Sequence, residues 1–334
     1  MAERSRLSLA LAGGDIMLPE TGRIAVFGPR AGADLSALPA ERTRIFTRFR
    51  PDHDHFAALG HDCALAPEGR FGASIVCVPR AKDLARARVA QAAAVTDGPV
   101  IVDGAKSDGV ESLLKACRAR VDVAAVFSKA HGKVFSFRAG PGFADWTAAP
   151  RQIEGGFVTL PGVFSADGID PGSRMLAAHL PATLGRTVVD LGGGWGYLGA
   201  RALERAEIER LHLVEADHDA LDCARRNVPD PRLRLHWEDA MRWHAPAPVD
   251  SVIMNPPFHS GRVPDPAMGA AFIRAAAAML TPGGQLWMVG NRHLPYEPVL
   301  AEHFARSEEV AGDTRFKILH AARPSRLRRR DALG

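Results

Sequence analysis

Thr187-Val188-Val189-Asp190-Leu191-Gly192-Gly193-Gly194-Trp195-Gly196-Tyr197-Leu198-Gly199 decides how this 334-residue chain is read. The β-branched run predicts a strand over Thr187–Leu191, the glycines a tight loop, and the residues after them a helix from about Tyr197 to Ala206. Glycine lets the backbone turn sharply and approach a ligand, and the first turn of a helix presents N–H groups that lack intrahelical partners. Such a loop suits a dinucleotide pyrophosphate, and Gly194 to Gly199 even spells G-x-G-x-x-G. It suits the amino-acid end of S-adenosylmethionine equally well. The loop alone does not choose.

Outward from it, strand-like runs alternate with helical ones. Leu211–Glu215 and Arg232–His236 read as the next strands, with a helix over Asp219–Asn227 between them. Val249–Met254 is a fourth strand, Ala267–Leu280 an Ala-rich helix closed by Thr281-Pro282-Gly283-Gly284, and Gln285–Gly290 a fifth strand. This alternation predicts a mostly parallel sheet with right-handed crossovers. Glu215 ends the second strand, where a carboxylate accepts both hydroxyls of a ribose, again fitting either cofactor. Asp239 follows the third strand and is a candidate acceptor for an adenine amino group. Taken alone, an aspartate in that place is more often a loop or capping residue.

The fourth strand makes the choice. It ends at Asn255-Pro256-Pro257-Phe258, on the edge where open α/β sheets bind ligands. Two successive prolines remove two N–H donors and leave carbonyls free to accept. The Asn255 side-chain oxygen and the Pro256 carbonyl can then receive the two N–H bonds of a planar amino group, with Phe258 as a stacking face. An amino group held that way aims its nitrogen lone pair at an electrophilic methyl. No strong base is required, because the proton leaves after transfer, and catalysis comes from orientation and a matched electrostatic site. A nicotinamide enzyme has no use for this arrangement.

These motifs resemble those of class I S-adenosylmethionine-dependent methyltransferases. Within them the second half is similar to the bacterial rRNA (guanine-N2) methyltransferases of the RsmC and RlmG type. The likeness rests on Leu160–Ser165, Asp167-Gly168-Ile169-Asp170, Gly172-Ser173, Asn255–His259, Gly261, Gly283-Gly284, Asn291, Leu294-Pro295-Tyr296 and Thr314–Lys317, which cover most of 157–322. It implies two Rossmann-like methyltransferase domains in tandem, with residues 1–150 degenerate, lacking a cofactor, and serving either rRNA recognition or support of the catalytic half. Residues 151–322 are the catalytic domain, with a seven-stranded mostly parallel sheet, and 323–334 a basic tail. It implies transfer to guanine N2 in rRNA, 16S rRNA of the small subunit being favoured. Asn255, Pro256, Pro257 and Phe258 serve catalysis; Asp190, Gly192, Gly194, Gly196, Glu215, Asp239, Asn255 and Phe164 serve the cofactor. Phe164 and Ser165 are expected over the cofactor or the target base. The commoner family loop has cysteine where this chain has Gly193, a change expected to be tolerated, and Trp195 is bulkier than usual.

The first half reads as a weaker copy. Arg23–Phe27, Thr43–Phe46, Ser74–Val78 and Val100–Val102 are strand candidates, Leu84–Val95 and Gly109–Arg120 helices, and Val121–Phe127 with Val134–Arg138 a closing pair. Phe27-Gly28-Pro29-Arg30-Ala31-Gly32 stands where a cofactor loop belongs, without a strand-end acid. Residues 1–150 hold 20 basic and 16 acidic side chains, whereas 151–334 hold 22 of each. The surplus and the Arg323–Arg330 tail fit a polyanionic partner, or a solvated surface in a chain rich in Arg and Ala.

Other functions are excluded or set aside. With 46% hydrophobic and 24% charged residues the chain folds, and its longest apolar runs fall far short of the roughly 20 residues of a bilayer span. Four scattered cysteines give neither a zinc ribbon nor a disulfide framework. Leu7–Ala12 faintly imitates a signal peptide but is short, so a cytoplasmic protein is expected. No metal is expected, although His53, His55 and His61 lie near Asp52, Asp54 and Asp62. His259 is read as positioning or structural, Arg315 and Lys317 as facing phosphate or supporting the last strand, and Trp237 and Trp243 as packing. Two competitors stand: transfer to another planar nitrogen (23S rRNA guanine N2, a protein glutamine amide, adenine N6), and a non-catalytic RNA-binding or assembly protein.

Overall fold

A computed structural model describes residues 5–257, 259–260, 263–264 and 266–325. The chain forms two compact units, one of Met1–Pro150 with Leu160–Gly162 and one of Arg151–Thr159 with Val163–Gly334.

The first unit runs α1 (Arg6–Ala12), β1 (Ile24–Phe27), β2 (Thr43–Phe46), α2 (Arg50–Ala58), β3 (Asp62–Ala64), β4 (Ala73–Cys77), α3 (Lys82–Val95), β5 (Pro99–Ala105), α4 (Val110–Arg118), β6 (Val123–Lys129) and β7 (Gly132–Arg138). The sheet order is β3-β2-β1-β4-β5-β7-β6. Its first five strands are parallel, and β7 is antiparallel to both β5 and β6. Every residue of β1 is buried, as a central strand covered on both faces requires. The stretch that imitated a signal peptide is part of α1, where Leu7 and Ala10 join the core.

The second unit begins with a short hairpin of β8 (Arg151–Gln152) and β9 (Val158–Thr159), then α5 (Pro171–His179), β10 (Thr187–Leu191), α6 (Tyr197–Ala202), β11 (Arg210–Glu215), α7 (His218–Asn227), β12 (Leu233–Trp237) and β13 (Val249–Met254). A small pair, β14 (His259–Ser260) and β15 (Val263–Pro264), precedes α8 (Pro266–Met279), β16 (Leu280–Asn291), α9 (Glu297–His303), β17 (Phe304–Gly312) and β18 (Phe316–Pro324). The main sheet has the order β12-β11-β10-β13-β16-β18-β17. Counting strands within each main sheet, both orders are the same. The chain therefore carries one α/β architecture twice.

Many boundaries differ from the sequence reading by one to three residues, and three further differences fall in the second unit. Helix α6 stops at Ala202, and beyond it the Arg232 guanidinium donates to the carbonyls of Leu203, Arg205 and Ile208. Thr281–Gly284 does not close α8; it bulges within β16, since Leu280 pairs with Val249 while the next paired residue is Gln285, opposite Ser251. Strand β18 includes Arg323 and Pro324, so the sheet runs into the stretch read as tail. Residues 326–334 lie outside the described residues.

Candidate active site

Strand β10 delivers Asp190 into the centre of the sheet, paired between Leu213 of β11 and Ile253 of β13. The glycine loop leaves its end. Gly192 and Gly193 both donate their N–H to the Val214 carbonyl, at 2.8 and 3.1 Å, which folds the loop back over β11. Gly194 and Gly196 have φ of 55° and 93°, a region closed to most side chains. At Gly196 a Cβ would also stand 3.0 Å from Val228, so glycine is what lets α7 approach.

Glu215 ends β11 beside this loop and organises it. One carboxylate oxygen accepts the Gly194 N–H at 2.9 Å and the other the Asp217 N–H at 2.8 Å. Each oxygen has a second lone pair, so acceptor capacity for a ribose remains. Burial raises the Glu215 pKa, opposed by the N–H groups of Asp217, Gly194 and Ala216.

Asp190 is fully buried, and neither of its oxygens closes a hydrogen bond. Burial pushes its pKa up to about 7; the nearby Gly199 N–H opposes the shift and the Glu215 charge adds to it. A buried carboxylate under a glycine loop is a costly feature unless a cationic partner uses it. The sulfonium and ammonium groups of S-adenosylmethionine are such a partner, and the acceptor capacity left on Glu215 suits its ribose. The residues fit the cofactor.

Asn255 follows β13 on the same edge. Its amide nitrogen donates to a carboxylate oxygen of Asp170 at 2.9 Å and to the Ser173 hydroxyl at 2.8 Å. Asp170 caps α5 by accepting the Ser173 N–H at 2.8 Å. Both amide protons of Asn255 are thereby spent, and its side-chain oxygen is left to accept from an acceptor substrate. Pro256 is buried and Pro257 exposed. Phe258 and the side chain of His259 lie outside the described residues.

A cleft gathers these groups. Phe164, Ser165, Asp170, Ser173, Gly192–Leu198 without Gly196, and Asn255 line it. Phe164 projects with 54% of its surface exposed, an unusual state for a phenylalanine. Ser165 is strained at φ 50°, its hydroxyl donating to the Gly168 carbonyl at 2.8 Å. Trp195 explains its own bulk: its indole N–H donates to the Phe164 carbonyl at 2.9 Å, and its ring packs against Phe157 and Tyr197. Asn227 of α7 was not foreseen. Its amide donates to the Trp195 and Val158 carbonyls and accepts the Val158 N–H, pinning the loop from behind. An Asn ending a helix carries no sequence signal for such a role.

Other expected residues are placed elsewhere or in other duties. The Asp239 carboxylate accepts the Met241 N–H at 2.9 Å in a turn after β12 and does not line the cleft. Lys317 is buried and paired with Glu297. Tyr296 is buried where a Cβ on Gly269 or Gly290 would strike its ring, so that motif is packing. Two roomier grooves beside α8, of about 480 and 530 Å³, have neither a carboxylate nor a glycine loop in their linings.

The corresponding loop of the first unit is filled by the chain itself. The Arg88 guanidinium lies 2.1 Å from where a Cβ on Gly28 would be, and donates to the Cys77 carbonyl at 3.1 Å. Asp52 accepts the Ala31 N–H at 2.8 Å and His55 the Gly32 N–H at 3.1 Å. Thr47 stands one residue past β2, where the second unit has Glu215. These contacts engage Asp52 and His55, two of the six groups that suggested a metal site, and among the described residues no cluster of three metal-ligating side chains occurs.

A sheet of this order, with a glycine loop after its first strand, an acid ending its second and Asn-Pro-Pro after its fourth, defines an S-adenosylmethionine-dependent methyltransferase. The profile of the methyltransferase small domain matches residues 154–320, and the chain belongs to that family. It is 30% identical, over 97% of both chains, to the ribosomal RNA small subunit methyltransferase C of Hahella chejuensis. It is 40% identical to the ribosomal RNA large subunit methyltransferase G of Streptomyces avermitilis, over 48% of this chain and 44% of that one. A solved structure of the T. thermophilus 16S rRNA N2 G1207 methyltransferase, in complex with AdoMet and guanosine, superposes with a TM-score of 0.77. It is 26% identical and covers 92% of this chain and 90% of its own.

Proposed function

We propose that the second unit methylates the exocyclic N2 of a guanine in ribosomal RNA, small-subunit RNA being the target. The observation that carries this is Asn255, whose amide protons are tied to Asp170 and Ser173 and whose oxygen remains to take an N–H of a planar amino group. The small-subunit choice is supported by coverage: the small-subunit relative matches along nearly the whole chain, the large-subunit one along about half.

S-adenosylmethionine supplies an electrophilic methyl on a sulfonium. The chain does the rest by placement. Glu215 and the glycine loop, with Gly192, Gly194 and Gly196, hold the ribose and amino-acid ends, Asp190 sets the charge beneath them, and Phe164 covers one side. Asp239 is a further candidate at the adenine. The Asn255 oxygen and the Pro256 carbonyl fix both amino hydrogens, with Pro257 keeping the turn rigid and Phe258 as the stacking face. The N2 lone pair forms the new N–C bond as the C–S bond breaks and sulfur keeps the electron pair. The amino nitrogen then sheds one proton to solvent, so no general base is needed.

The first unit serves RNA binding. Four of the six lysines in the chain, Lys82, Lys106, Lys129 and Lys133, lie at the carboxyl edge of its sheet, after β4, after β5 and at the β6–β7 turn. Exposed Arg30 and Arg80 stand on the same edge. In a chain with 36 arginines that concentration of lysine is a local feature, and its sign suits phosphate. A ribosomal RNA substrate supports a cytoplasmic location; no helix among the described residues is long and apolar enough to cross a membrane.

Nucleoside analysis of rRNA from cells deleted for this gene tests the reading. Loss of one N2-methylguanosine from 16S rRNA, restored by the wild-type gene, is expected. An unchanged nucleoside profile in both rRNAs overturns it.

A further inference from the structure

We infer that Asp170 is a positioning residue for methyl transfer: its carboxylate fixes which end of the Asn255 amide faces the acceptor. The inference rests on the role of Asn255 given above.

An Asn amide has two ends of nearly equal shape and opposite hydrogen-bonding character. Facing a substrate amino group, the oxygen accepts, whereas the NH2 opposes donor with donor. The Pro-Pro turn fixes the backbone and says nothing of the amide. What breaks the symmetry is Asp170, because a carboxylate only accepts; with it 2.9 Å away, the nitrogen of Asn255 turns inward and the oxygen outward. Ser173, at 2.8 Å, takes the second proton. Neither partner is free to wander. Asp170 is the N-cap of α5, receiving the Ser173 N–H, and Ser173 is buried on that helix. The start of α5 is thus a rigid template for one rotamer and one flip state of Asn255.

Position 170 has two duties, cap and template, and substitutions separate them. Asn and Ser both cap helices about as well as Asp. Asp170→Asn keeps the cap and the shape but lets the neighbouring amide sit either way round. Asp170→Ser keeps the cap and removes the contact. The pair can also be exchanged: with Asn255→Asp and Asp170→Asn together, the amide at 170 donates to one oxygen of the new carboxylate, leaving the other to accept.

The experiment is steady-state transfer to small-subunit RNA by purified full-length variants, with S-adenosylmethionine affinity by calorimetry and melting temperature measured alongside. Both single variants at 170 are expected to lose at least tenfold in kcat, with cofactor Kd within about twofold and unchanged melting. The exchange is expected to be more active than Asn255→Asp alone. Single variants within twofold of wild-type kcat, or an exchange no better than Asn255→Asp, overturn the inference. Asn255→Ala, run beside them, separates the two claims: full activity there sinks the role of Asn255 itself, whereas an inactive Asn255→Ala beside a fully active Asp170→Asn sinks only the template.

Discussion

The amide nitrogen of Asn255 and the carboxylate of Asp170 meet at 2.9 Å although 85 residues separate them in the chain. One sits just past the fourth strand of the catalytic sheet and the other caps the helix that precedes its first strand. Their contact joins the acceptor side of the cleft to the segment carrying Phe164, and the glycine loop lines the same cleft. The predictions below concern what each part of that cleft contributes.

Asp190 makes cofactor binding and stability depend on pH in opposite senses. Its pKa is about 7 in the fold against an ordinary 3.8, with burial the main cause. Between those values the folded state keeps a proton that the unfolded state has lost, so the free protein loses stability as pH rises from about 4 to 7, by up to about 4 kcal/mol. A cationic cofactor favours the ionised carboxylate, so binding expels that proton and affinity rises toward pH 7, then levels. Calorimetry in buffers of different ionisation enthalpy reads the proton directly. Asp190→Asn is expected to abolish the release and flatten the pH dependence of stability.

Gly193 is where the family more often has cysteine, and the packing around it is closed to the reverse change, from glycine to cysteine. A Cβ at 193 would lie 2.5 Å from Cγ of Leu213 and 3.0 Å from Cγ of Asp190. Gly193→Cys is expected to cost about 1–3 kcal/mol by overpacking. Adding Leu213→Val should recover part of that. Chemical denaturation of the three variants checks it; a neutral Gly193→Cys would mean the strand yields.

Trp195→Phe removes the indole donor to the Phe164 carbonyl while keeping an aromatic ring against Phe157. A loss of about 1–2 kcal/mol is expected, with KM for the RNA rising several-fold and cofactor affinity little changed. Equal KM values for wild type and variant would show that the Phe164 turn holds without its tether.

The lysine edge predicts a salt-dependent defect. Replacing Lys106, Lys129 and Lys133 by Glu should weaken RNA binding and lower the slope of log affinity against log salt by about 2. S-adenosylmethionine affinity should not move. An unaltered slope would assign the basic surplus to a solvated surface.

Much of this was legible in the sequence, for reasons visible in particular residues. β-Branched runs such as Thr187–Leu191 are buried central strands, and fully buried strands leave continuous apolar signals. Strand β17 left none, because its middle residues, Arg306–Val310, are exposed on the sheet edge. The loop and Asn-Pro-Pro were readable because backbone geometry demands those residue types, and the strand-end acid because its carboxylate is an acceptor at a fixed place after the loop. The partners were not. Asp170, Asn227 and the indole of Trp195 act across long separations, where only the folded chain brings donor to acceptor. The filled loop of the first unit has the same origin, since Arg88 reaches it from α3.

The central claim is that Asn255 presents an acceptor to guanine N2. Its most direct test is transfer of labelled methyl from S-adenosylmethionine to small-subunit RNA from cells lacking this protein, followed by digestion to nucleosides, with Asn255→Ala beside wild type. The account predicts label in N2-methylguanosine with the wild type and a drop of about 100-fold or more with Asn255→Ala, at unchanged cofactor affinity. Label in another nucleoside, or equal label from Asn255→Ala, would contradict it.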